Sequence, residues 1–577
     1  MKNLKNKHIE HIETLINANK IPDALAMIEA ELNLTDAKSL THLSHLKALC
    51  LRKSGQLSEA KKIFEEIQRI NPSHLESLEQ LIDIGMEEHD WAPTKARLAT
   101  LIAQYPFDAR HYVTMARLLE AERNPESISW YEQALALDPH EQTALKKLAE
   151  HQLEQENWPA AEALLIQLHE LEDLNDLELE KQNKHDQLLL KQIGLCIGRQ
   201  GRYAEAHAWF LRALETNAQD VECLVNLAIL AKKQFNFSAA EHYYLQALNI
   251  QPDYTYCQFS LGLMQLSLGQ FDPGFKNFSA RKSLFPPKLT LHSELAVWHG
   301  ESLAGKTLYL LPEWGYGDYL QFIRFSYLLK SQNAGAVRII TVHDRLLNPL
   351  LKNIPYVDDV IDADTFKQLK PQDPKNPDYQ IYLLDLGELL HLELKNLSGP
   401  NPYLFPSPLD LATCTLPQTG NLKKIKVGLN WSSGTFSINH SSRDCPWSAI
   451  KKLLTLPNTQ FYALNFELNE TERQHLPDSI IDLTKNITHF GHTAAYLAQC
   501  DLVISTDTAL VHLAGGMGKA CWVLLSADAD WRWQLTRQDS PWYPSLRLFR
   551  AKQDQDQKYW EGVIDDVIQA FLEHFST

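Results

Sequence analysis

No stretch of the 577-residue chain approaches the roughly 18 consecutive apolar residues that a membrane-spanning helix needs, so no such helix is expected. The opening segment, MKNLKNKHIEHIETLINANK, has basic residues but no apolar run behind them, and does not read as a secretory signal. Cysteine is sparse: eight residues, at 50, 196, 223, 257, 414, 445, 500 and 521, none in a C-x-x-C pair. That spacing argues against a zinc site or a disulfide framework and predicts reduced thiols in the cytoplasm. Positive charge is not in excess either. Lys+Arg 55 against Asp+Glu 72 leaves −17, and an acidic body repels a phosphate backbone, so nucleic acid is not expected as a main partner. Hydrophobic residues at 44% and charged residues at 22% are ordinary for a folded chain and exclude wholesale disorder. The length predicts about three to five structural units.

What is present first is a period. Gly194, Ala228 and Gly262 lie 34 residues apart, as do Ala206, Ala240 and Gly274, and Phe210, Tyr244 and Phe278. Pro252 and Pro286 keep the same register, with Ala218 in the equivalent place one unit earlier. Small residues let two antiparallel helices approach, an aromatic fills the gap between them, and proline stops the second helix. This pattern resembles the tetratricopeptide repeat. Upstream, Pro72, Pro106 and Pro139 extend it, with Ala60 and Phe64 in one unit and Tyr131 and Ala134 in another. About eight units are expected over 1–286, interrupted by a charged insertion of about eleven residues near 175–185. Such stacks bind extended peptides or partner helices along their concave face. Gln80, Lys147, Gln192, Asn226 and Ser260 share one register and are the candidates for a peptide groove, or else ordinary solvated helix positions. Cys223 and Cys257 are repeat-equivalent, which favours packing over metal binding.

Beyond residue 286 the pattern changes to short apolar runs separated by helices. Strands are predicted at 307–313, 337–342 and 379–385, with an amphipathic helix at 319–330, giving one domain over 287–405. A proline-rich linker follows at 406–424. Strands then restart at 425–431, 460–466, 501–506 and 520–526 in a second domain, 425–577. Alternating strands and helices of this kind imply two doubly wound parallel sheets, whose ligands collect at the C-terminal strand ends beside helix N-termini.

Three motifs occupy such ends. In EWGYGD, Gly315 and Gly317 permit a tight turn and Asp318 stands at a helix start, where aspartate is also favoured simply as a cap. In STDTALVHLAGGMG, Asp507, Thr508 and Ala509 open a helix whose N–H groups suit an anion, and His512 lies one turn further on, either facing that anion or merely packed. In GLNWSSGTFSINHSSRDCPW, the polar loop carries Ser432, Ser433, Asn439, His440 and Arg443. The guanidinium of Arg443 matches phosphate, though a surface arginine would look the same.

With these motifs, residues 306–577 resemble the GT-B glycosyltransferases of the heptosyltransferase superfamily, glycosyltransferase family nine. The whole chain resembles bacterial tetratricopeptide-repeat proteins carrying that domain, similar in layout to O-linked N-acetylglucosamine transferase. The resemblance implies an α-helical solenoid followed by a GT-B fold of two Rossmann-like domains. It implies Asp318 as general base and Asp507, Thr508 and His512 as the donor-phosphate segment, with Ala509 in place of the usual glycine. It further implies Arg443 as a phosphate contact, and Asn465 and Glu467 near the ribose or base. The expected reaction is inverting transfer of a sugar from a nucleotide-sugar, with no metal and no resident cofactor. Asp528 and Asp530, in an aromatic-rich loop, are not expected to bind a metal. The expected acceptor is a protein Ser or Thr held by the repeat groove, with flagellin a candidate because resembling bacterial proteins act on it. The alternatives are a cell-envelope saccharide transferase and a non-catalytic scaffold.

Overall fold

The computed structural model describes residues 2–32, 37–173, 179–342, 344–369, 376–417, 424–432, 443–465, 468, 473–527, 529–551 and 559–575. The chain divides into two compact units, Met1–Asn236 and Phe237–Thr577.

The first unit is helical throughout. Sixteen consecutive helices, from Lys2–Asn17 to Phe271–Phe278, are found among the described residues, and the first thirteen belong to this unit. The aromatic and small positions of the period are its core: Phe64, Tyr131 and Phe210 are buried, together with Ala60, Ala134 and Ala206. A Cβ on Gly194 would sit 3.1 Å from the Phe210 ring, so glycine there is what lets the aromatic of the next helix lie against the backbone. The backbone repeats as strictly as the side chains. Gly55, His89, Arg123, Glu156, Gly201 and Phe235 all have positive φ, each turning the chain between two helices. Four of the five spacings between them are 33 or 34, and the exception, 45 from Glu156 to Gly201, contains the insertion. Much of that insertion lengthens a helix. Leu179–Arg199 has 21 residues where Val221–Lys233 has 13, because a charged, Leu-containing stretch continues the helical backbone.

In the second unit, helices Phe237–Ile250, Thr255–Ser267 and Phe271–Phe278 precede two parallel sheets. The first sheet has β1 (Thr307–Leu311), β2 (Ala336–Thr341), β3 (Asp359–Asp362) and β4 (Tyr379–Tyr382), in the order β3-β2-β1-β4. The second has β5 (Ile425–Asn430), β6 (Thr459–Ala463), β7 (Ile480–Asp482), β8 (Leu502–Thr506), β9 (Cys521–Leu525) and β10 (Leu546–Arg550), in the order β10-β9-β8-β5-β6-β7. Strands β3, β7 and β10 escaped the sequence reading. They are edges, short and interrupted by Asp or Arg, so no continuous apolar run marks them. The stretch expected as strand 379–385 ends at Tyr382, and residues Leu383–Asp385 form a short 3-10 turn. The expected linker is not a free tether: it contains a helix, Pro408–Thr413, and Cys414 and Leu416 are buried in the core shared with both sheets.

Candidate functional site

In each sheet the strand order reverses beside one central strand, and the candidate residues follow these strands or their neighbours: Asp318 comes after β1, Ser432 and Arg443 after β5, Asn465 after β6, and Asp507 to His512 after β8. β1 is flanked by β2 and β4, and β5 by β6 and β8. In open parallel sheets, ligands collect at such reversal points.

The loop after β1 is anchored before it is functional. Glu313, fully buried, accepts hydrogen bonds from Arg281 (Nε 3.1 Å, Nη2 2.8 Å) and from the Leu384 N–H at 3.1 Å. The helix Tyr316–Phe322 follows, capped by Gly315. Asp318 lies in its first turn, and one carboxylate oxygen accepts the Gly315 N–H at 3.1 Å. The capping role open at this position is therefore real. The other oxygen accepts a hydrogen bond from Arg532. Neither Gly315 nor Gly317 has a positive φ. What Gly317 supplies is room: a Cβ there would stand 3.0 Å from Cδ2 of His512.

Arg532 had no place in the sequence reading, yet it joins the two sheets' loops. It is buried, donates Nη1 to Asp530 at 2.8 Å and Nε to Gln321 at 2.6 Å, and lies 4.6 Å above the Trp531 ring. Burial pushes Asp318 above the usual carboxylate range, against the pull of Arg532 and, more weakly, Arg443. The only sequence signal for Arg532 was an aspartate two residues earlier in an aromatic loop.

The second half of the site is built on the second sheet. Thr508 caps helix Ala509–Gly516, its hydroxyl accepting the Leu510 N–H at 3.3 Å. Asn430, also missed, closes β5 and donates to Ser505 at 3.1 Å and to the Thr508 hydroxyl at 2.9 Å. An amide ending an apolar strand was the available clue. Asp507 is buried and pushed up to about 6, first by burial and then by Asp530, with Arg443 and Arg532 opposing. His512 is buried, bonds Tyr543 through Nδ1 at 3.0 Å and stacks on Trp533. Burial, followed by the cations of Arg532, Arg324 and Arg443, holds His512 well below the usual histidine range. It is a neutral ring, so it can offer a hydrogen bond but not a charge.

Asp318, Asp507 and His512 thus converge with Arg443, Arg532 and Asp530 beside the first turn at Ala509. Ser432 and Asn465 pair with each other at 2.9 Å beyond β5 and β6, and the buried Oδ1 of Asn465 has no hydrogen-bond partner among the described residues. Glu467, Ser433, Asn439, His440 and Asp528 lie outside the described residues. Of the five groove candidates, all half-buried, three are engaged among the repeat helices: Gln80 accepts from Arg52 at 2.6 Å, Lys147 pairs with Glu120 at 2.7 Å, and Ser260 hydrogen-bonds Tyr244. Gln192, Asn226 and Ser260 complete that register.

Profiles of the tetratricopeptide repeat match residues 41–74, 115–169 and 221–251. The helical part of the chain therefore carries tetratricopeptide repeats. The chain is similar to Protein FlbA of Caulobacter vibrioides, 24% identical over 326 residues, 52% of this chain and 53% of FlbA. It thus spans about half the length of the curated relative it matches. Among solved structures it is similar to YrrB, described as a TPR protein with an unusual peptide-binding site, at 16% identity over 33% of this chain and 92% of YrrB, with a TM-score of 0.27. It is also similar to Pseudomonas aeruginosa PilF, at 18% identity over 37% of this chain and 92% of PilF, with a TM-score of 0.27. Among the described residues no helix is long and apolar enough to cross a membrane.

Proposed function

We propose that the chain is a GT-B glycosyltransferase of the heptosyltransferase type, moving a sugar from a nucleotide-sugar to a Ser or Thr hydroxyl of a protein bound by the repeat array. The observation that carries this reading is the meeting of Asp318, Asp507, Arg443 and Arg532 at the reversal points of two parallel sheets, next to a helix N-terminus. In the reaction the acceptor oxygen attacks the anomeric carbon, its proton passes to Asp318, and the bond to the nucleoside diphosphate breaks with inversion. General-base assistance of this kind contributes roughly 10²–10⁴-fold. Charge growing on the departing diphosphate meets the N–H groups at Ala509 and the guanidinium of Arg443, with His512 as a neutral donor. Arg532 already neutralises Asp318, so a bound diphosphate that draws Arg532 to itself would leave the carboxylate free to take the proton. The expectation of metal independence rests on the helix N-terminus at Ala509, His512 and Arg443 carrying the charge. Flagellin is the acceptor class the sequence resemblance suggests.

Replacing Asp318 with Asn is expected to lower transfer by roughly 10²–10⁴-fold while donor binding persists. Intact mass of a co-expressed acceptor reads the first, and calorimetry with UDP-, GDP-, CMP- and ADP-sugars reads the second. Unchanged turnover removes Asp318 from the mechanism. A second reading, the non-catalytic scaffold, is favoured by one observation: both Asp318 oxygens already accept hydrogen bonds from the protein. Silence of the whole donor panel would select it, while sugar on a saccharide but not on a protein would select the envelope transferase.

A further inference from the structure

A second polar cluster lies apart from those residues, where the stretch expected as a linker meets the second sheet's domain. Asp410, on helix Pro408–Thr413, is buried, and its Oδ2 has no hydrogen-bond partner among the described residues. Two imidazoles turn toward it. Nε2 of His489 and Nε2 of His492 each stand 3.8 Å from Asp410 Oδ1, too far for a hydrogen bond. The two rings lie against each other, with centroids 3.8 Å apart.

The outer nitrogen of His492 has partners of both kinds: Nδ1 lies 3.1 Å from the Asn486 carbonyl and 3.4 Å from the Thr488 N–H, so the ring can turn either Nε2–H or the Nε2 lone pair inward. A buried carboxylate oxygen without a partner among the described residues, faced by two imidazoles, is an arrangement that a cation satisfies, and with Nε2 on the cation His492 Nδ1–H would donate to the Asn486 carbonyl. A metal-bound histidine typically donates its other N–H in this way. The backbone also leaves space for the carboxylate: a Cβ on Gly491 would come within 2.5 Å of Asp410 Oδ2.

We propose that Asp410, His489 and His492 form a binding site for a divalent transition-metal ion, zinc by ligand type, with water completing the coordination. The ligand atoms all lie within 4.8 Å of one another. A tetrahedral ion with bonds of about 2.0–2.1 Å needs its donors about 3.3 Å apart, so the 3.8 Å separations close by only about 0.5 Å. His489 Nδ1 now accepts the Gly491 N–H at 3.1 Å; binding through Nε2 moves that ring's proton to Nδ1 and gives up this contact. The ion would fasten the inter-sheet segment to helix Phe490–Gln499. The site is independent of the sugar-transfer reading. The attraction of a carboxylate to a helix N-terminus accounts for Asp410 alone, and leaves unexplained why two imidazoles aim at it.

The test uses the full chain, stripped with a chelator and titrated with Zn²⁺ and separately with Co²⁺. One equivalent of Zn²⁺ is expected, with a rise in melting temperature, and Co²⁺ is expected to show the visible bands of a tetrahedral nitrogen and oxygen site. His492→Ala and Asp410→Asn should each lose that equivalent and the bands. Gly491→Ala, which keeps all three ligand residues but crowds Asp410 Oδ2 and the His489 ring, should weaken binding, and His492→Gln serves if the alanine variant misfolds. No uptake by the wild-type chain, or equal uptake by the variants through other histidines, overturns the proposal.

Discussion

The repeat array and the sheet-containing unit use the same charged residues for opposite purposes. In the array, Arg52 reaches Asp83 at 3.1 Å and Glu87 at 2.5 Å on the next repeat, and both acids remain about half exposed. Such pairs trim the surface and contribute little each, about 0–1 kcal/mol. In the sheet unit, Arg281 is 1% exposed and Glu313 0%, and the pair is completed by Asp385. A buried ion pair is weak evidence for stability, but it is expensive to break, because the abandoned charge has no water to return to. It therefore serves as a fixture. Arg281 holds the loop that ends in Asp318, whereas Arg52 holds only the neighbouring turn of a repetitive stack.

That contrast can be broken most severely at Arg281. Arg281→Ala should cost about 3–5 kcal/mol in denaturant unfolding of the sheet unit, because Glu313 is left charged and buried. A smaller effect is expected at Asp507, and it depends on pH. With a folded-state value of about 6 against the ordinary 3.8, the folded protein holds a proton that the unfolded chain has released. The stability this group contributes is complete below about 3.8 and is lost as pH rises through about 6. Asp507→Asn should therefore be more stable than wild type at pH 7, with the difference fading toward pH 4; an unchanged pH profile would show that Asp507 is not held in this way. Next, Gly262→Ala places a Cβ 2.6 Å from the Phe278 amide nitrogen, backbone against backbone, and should cost about 1–3 kcal/mol in thermal unfolding. The least change is expected from Arg52→Ala, within about 1 kcal/mol by the same unfolding measurement, and a larger loss would erase the distinction between the two regions.

The two regions also differ in how far they could be read in advance. Gly194 and Phe210, 16 positions apart, announce their contact through a period that recurs down the chain. The interruption by the insertion was legible, but its continuation of a helix was not, since a charged stretch fits a solvated loop equally well. In the sheet unit, Asp318 and the Thr508 cap stood out because a strand end followed by a helix start is a local signal. Arg532 did not, since its partner Asp318 lies 214 residues away. Asn430, His489 and Asp410 were invisible for the same reason: none follows a pattern at fixed spacing.

The chain's own order of residues determined its two kinds of architecture, because helix-pair packing and strand burial depend on which residues recur every 34 or cluster in short apolar runs. Only the tertiary structure decided which ionisable groups face one another. Those pairings depend on which loops the strand order β3-β2-β1-β4 and β10-β9-β8-β5-β6-β7 brings to the same end of a sheet, and on how completely water is excluded once they meet.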